Sequence, residues 1–136
     1  MNSYQNQIYE VTVEGGEDIR EVITNYILEN KWEQVYITGA VGSVIDMIFT
    51  TPVRNELPLK TESVPVEGAA EVVGFMGEVM KREMMDTALE AIYPDKNNPL
   101  FVHIHTSCAY KGGIVRGGGL AGGKAFRSVR VFMTPI

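Results

Sequence analysis

Two histidines set two residues apart, His103 and His105, are the residues of this chain best placed to do chemistry. They sit in Phe101-Val102-His103-Ile104-His105-Thr106, whose β-branched and aromatic composition predicts a strand. Successive side chains of a strand point to opposite faces, so the two imidazoles project from one side as neighbours. A zinc ion wants at least three protein ligands, and the chain has 2 histidines. A carboxylate such as Glu67 or Glu71 would have to complete the set across the sheet or across a subunit boundary. No cofactor is otherwise expected, zinc being the one candidate. The same parity turns Cys108 to the other face, where it reads as a small buried thiol and not as a nucleophile. Ser43 has no evident base beside it and reads as a turn residue.

Downstream of the histidines the chain is dominated by glycine. Gly112, Gly113, Gly117, Gly118, Gly119, Gly122 and Gly123 make up half of the 14 glycines. All 17 acidic residues lie at or before Asp95, whereas residues 96–136 carry six of the 12 basic residues and no acid. Lys111, Arg116, Lys124 and Arg127, with Arg130 beyond them, are therefore candidate anion ligands, able to grip phosphate together with backbone N–H groups. The competing reading pairs them with acids of the first 95 residues or of a neighbouring subunit.

The elements that must position these groups follow from pattern. At 136 residues and 45% apolar content, one domain spanning 1–136 is expected. No apolar run is long enough to cross a membrane, and the polar N-terminus lacks a secretory signal, so a soluble, cytoplasmic protein is expected. The single cysteine agrees with a reducing compartment. A net charge of −5 argues against indiscriminate polyanion binding by the whole surface.

A first strand is predicted over 7–13 and a helix after Glu17-Asp18, with Ile19, Val22, Ile23, Tyr26 and Ile27 as its apolar stripe. Strands are predicted at 35–38 and 44–50, separated by a glycine bend at 39–43, and at 62–66 and 71–80, with a bulge or bend at Gly74 and Gly77. Met84, Met85, Ala88, Leu89 and Ile92 recur at helical spacing, which predicts a short helix within 81–93 whose methionines pack and do not hold a cofactor. The histidine strand, a hairpin turn at Lys111-Gly112-Gly113, a return from Ile114 and a closing strand at 128–133 complete an α+β chain. It is a mainly antiparallel sheet packed with one major helix and one short one.

Several short runs occur together in order. They are Gly16-Glu17-Asp18, Thr38-Gly39-Ala40-Val41-Gly42-Ser43, Glu67-Gly68 with Glu71-Val72-Val73 and Gly77, His103-Ile104-His105-Thr106-Ser107, and Gly117-Gly118-Gly119-Leu120. Their order and spacing over nearly the whole chain resemble the plants-and-prokaryotes conserved (PPC) domain family. The resemblance implies an α+β subunit akin to a domain of acetolactate decarboxylases, assembly as a homotrimer, and an association with DNA. In many prokaryotic members a third histidine follows the paired glycines and the three look like a metal site; here that position is Gly119. The AT-hook of plant members has no counterpart in this sequence, and residues 81–93 are longer than the usual connection.

The function expected is that of a PPC-domain protein, a DNA-binding or regulatory homotrimer without evident catalysis. The alternative is a small-molecule binder or metal-assisted enzyme that uses the His103/His105 face and the basic glycine-rich loop. The partners to be sought are further copies of the chain, DNA and a small ligand of unspecified identity, with no membrane.

Overall fold

The computed structural model describes residues 7–90, 92 and 97–136. Five strands and one α-helix run in the order β1 (Tyr9–Glu14), α1 (Ile19–Glu29), β2 (Gln34–Pro52), β3 (Thr61–Lys81), β4 (Leu100–Ala109) and β5 (Val115–Pro135). Every strand pairing is antiparallel. β5 pairs with β2 along one edge, and along its other edge first with β4 and then with β1. Because β2 also pairs with β3 and β3 with β4, strands β2, β3, β4 and β5 close on themselves. Closure removes sheet edges and leaves an interior that apolar side chains must fill.

The helix forms where its signals lie. Asp18 is the N-cap, its Oδ1 accepting from the Glu21 amide at 2.9 Å. Glu17 Oε1 accepts from the amide of Glu14 at 2.9 Å and so ties the end of β1 to the helix start. Ile19, Ile23 and Ile27 are buried, Val22 and Tyr26 pack beside them, and the stripe lies on β5, β1 and β4. Core partners such as Val13, Val129, Val131 and Met133 are fully shielded. A separate small cluster joins Met80, Met85 and Phe101, with Leu89 against it.

Three expectations need correction. The predicted pairs of short strands are single long strands, β2 and β3, because the glycine bends are bulges that pairing passes through. The β2–β5 register shifts between Ile37 and Gly39 and again between Gly42 and Val44 without ending the strand. Likewise the return and closing strands are one element, β5, running through the glycine run. The short helix within 81–93 is absent among the described residues, which form two 3-10 turns, Arg82–Met84 and Thr87–Leu89. Met85 between them is extended, and the Asp86 carboxylate accepts from the Ala88 amide at 3.0 Å, a local bond that competes with helical pairing. Residues 91 and 93 of that prediction lie outside the described residues.

Candidate functional site

β4 places the two imidazoles as its alternation requires. Its even-numbered residues Val102, Ile104, Thr106 and Cys108 are buried, and His103, His105 and Ser107 stand on the opposite, partly solvated face. The rings of His103 and His105 meet edge to face with centroids 5.0 Å apart. Phe101, next on the same face, has its ring 5.4 Å from that of His103. Antiparallel register sets Glu78 of β3 opposite His103 and Met76 opposite His105. Glu78 Oε1 approaches His103 Nδ1 to 3.4 Å.

On the other side of β4, Gly119 of β5 is the direct partner of His105. The position at which the family resemblance implies a third histidine therefore lies beside this pair, and in this protein it holds no side chain. A Cβ there would run into Oγ1 of Thr50, so the space has been taken up by the neighbouring strand. The carboxylates expected to complete a metal site stand elsewhere: Glu71 is opposite Ala109, four residues along β4 from His105, about 13 Å at strand rise. Glu67 is exposed on β3. Among the described residues no group of three or more His, Cys, Asp or Glu side chains is arranged to hold a metal ion. Among the described residues the carboxylate beside the pair is Glu78, which pattern in the sequence did not point to. The alternation of β3 carried that signal, but only the β3–β4 register reveals it.

A cavity of about 560 Å³ opens beside His105, lined among others by Thr50, Met76, Ser107, Gly118 and Gly119. Its floor is mostly apolar, and Met76 is 62% exposed there. Cys108 faces the core as parity required, and burial raises its thiol pKa, partly offset by a contact with the Thr106 hydroxyl. Ser43 is engaged as well, its Oγ accepting from the Arg127 amide at 3.1 Å.

The cationic candidates divide. Lys111 and Arg127 line one cavity of about 500 Å³, together with Ser43, Glu71 and Phe126. Arg116 is paired with Cys108 in the β4–β5 register, and Lys124 lies opposite Ile45 and pairs through its backbone with Asp18, so neither joins that cavity. All four side chains are exposed. Among the described residues none of the four makes an ion pair, whereas Arg130 reaches Glu10 Oε1 at 3.0 Å. The cavity at His105 and the cavity at Lys111 share no lining residue.

This closed antiparallel sheet with one helix is the architecture of a known class. Residues 2–136 match the model of the Plants and Prokaryotes Conserved (PCC) domain, and the chain belongs to that family. The fold is similar to that of a plant- and prokaryote-conserved protein from Pyrococcus horikoshii, 22% identical, with a TM-score of 0.74 over 99% of this chain and 84% of that one. A metal-containing protein from Archaeoglobus fulgidus is similar at 19% identity and a TM-score of 0.71, over 99% and 85% of the two chains. A protein from Bacteroides thetaiotaomicron, provisionally described as DNA-binding, is similar at 13% identity and a TM-score of 0.67, over 98% and 84%. No curated protein matches the chain.

Proposed function

We propose that the protein is a non-catalytic regulator that assembles as a homotrimer and engages DNA through phosphate contacts. The observation that carries this reading is the set Lys111, Arg116, Lys124 and Arg127. These are four exposed cations on the acid-free part of the chain, none in an ion pair among the described residues. Acids of the same subunit leave them unaccounted for, so what remains of the competing reading is pairing with acids of a neighbouring subunit. The description of the Bacteroides relative supports the choice of DNA as the polyanion. The alternative, a metal-assisted function uniting the histidine face with the basic loop, is less well supported, since the two line different cavities.

Phosphate contacts release counterions, so affinity for duplex DNA should fall with salt at a log–log slope of about −0.9 per engaged phosphate. Alanine at Lys111, Arg116, Lys124 or Arg127 should flatten that slope by about 1 for each phosphate no longer engaged, with no change in sequence preference. Fluorescence anisotropy with labelled duplex at several salt concentrations reads both effects. The absence of any salt-sensitive binding at low ionic strength would remove DNA from the reading.

A further inference from the structure

Ser43, Glu71 and Arg127 line two depressions, of about 500 and 430 Å³, which therefore join as one groove over β2, β3 and β5. The larger lobe adds Lys111 and Phe126. Its volume lies within the ~300–1,000 Å³ typical of small-molecule sites. Two cations and a carboxylate thus face one space without an ion pair among them. Each keeps its charge available for something that enters.

The backbone beneath the groove is fixed. The Arg127 amide donates to Ser43 Oγ at 3.1 Å, locking β5 to β2 where Arg127 begins. Lys111 sits in a turn closed by the Tyr110 amide on the Ile114 carbonyl at 2.8 Å and the Gly113 amide on the Tyr110 carbonyl at 2.9 Å. Phe126, immediately before Arg127, is 51% exposed. A phenyl ring about half exposed, on a strand whose neighbouring Ala125 is buried, offers a flat apolar surface to the cavity it lines.

These features define a ligand with three parts: an anion for Lys111 and Arg127, a planar ring for Phe126, and hydrogen-bond donors for the Glu71 carboxylate. We infer that the groove binds a nucleoside monophosphate. The phosphate lies between the two cations, the base rests on Phe126, and ribose hydroxyls or an exocyclic amine donate to Glu71. The inference rests on the anion-binding reading of Lys111 and Arg127 given above. It differs from that reading in making the ligand a free nucleotide, recognised by its base as well as its phosphate.

The test is calorimetric titration of the full chain with AMP, adenosine, inorganic phosphate and a short DNA duplex. AMP should bind about tenfold or more tightly than either phosphate or adenosine, since base stacking adds to the charge contacts. Phe126→Ala should bring AMP down to the level of phosphate, Phe126→Tyr should preserve its advantage, and Arg127→Ala should weaken AMP and phosphate alike. AMP binding no better than phosphate, or untouched by Phe126→Ala, overturns the inference. If the duplex still binds in that case, the DNA reading survives alone; if AMP binds as expected and the duplex does not, the nucleotide site stands and the DNA reading falls. Both substituted side chains are exposed, so thermal melts of the three variants should match the parent.

Discussion

At the scale of single residues, Gly119 decides how much of a metal site this chain possesses. Register places it beside His105, and a Cβ there would run into Thr50 Oγ1. Gly119→His combined with Thr50→Ala should therefore raise zinc affinity at least about tenfold over the parent, by supplying a third imidazole. Competition against a chromophoric chelator measures this, and an unchanged affinity would show that the three positions do not converge. Tyr110 supports a second expectation. Its hydroxyl is shielded from solvent with no hydrogen-bond partner among the described residues, and burial, with the neighbouring Cys108 acting the same way, pushes its pKa up to about 12. The folded chain thus keeps a proton that the unfolded chain gives up above about pH 10. Stability from this group is intact below pH 10 and declines as pH rises toward 12, at no more than about 1.4 kcal/mol per pH unit and less for a partly exposed residue. Tyr110→Phe should remove that decline and, since the hydroxyl has no hydrogen-bond partner among the described residues, leave stability at neutral pH within about 1 kcal/mol of the parent. Denaturant titrations at pH 7, 10 and 11 decide it; a variant that keeps the alkaline loss would show that another group causes it.

At the scale of elements, Gly77 marks where β3 and β4 approach too closely for a side chain. A Cβ there would run into the His103 carbonyl oxygen and the Ile104 Cα, both backbone, which cannot yield cheaply. Gly77→Ala should cost about 3 kcal/mol and loosen the strand that carries both histidines. Gly39→Ala, where nothing lies within 4 Å, should cost far less. Equal denaturation midpoints for the two variants would contradict this account. Such contrasts also explain what could be read from the sequence. The helix was legible because its cap and its isoleucine stripe are local, and the face shared by His103 and His105 because alternation is local. The length of β2, β3 and β5 was not, since whether a glycine ends a strand or sits in a bulge depends on a partner strand distant in sequence. Met85 and Leu89 keep helical spacing although Met85 is extended between the two 3-10 turns and Leu89 ends the second, both held against Phe101 by a tertiary cluster. The groove at Arg127 was half legible: its charges stood out and Phe126 adjoins Arg127 in sequence, but Ser43 and Glu71 join them only through register.

At the scale of the whole molecule, the sheet presents large apolar side chains outward as well as inward. Val41, Val73 and Met76 are each more than half exposed on β2 and β3. With all 17 acidic residues at or before Asp95 and six basic residues with no acid after it, a second and third copy offer both apolar cover and opposite charge. Light scattering should accordingly return three times the chain mass across dilution, and a concentration-independent monomer would contradict the trimer. Within each copy, β5 gives Gly118 and Gly119 to one cavity and Phe126 and Arg127 to the other. Both places therefore hang on a single ribbon of backbone whose side chains would turn inside out on a slip of one position. Damage to that ribbon is not graded: a protease nick or a misaligned refolding event there disables the imidazole face and the cationic groove together.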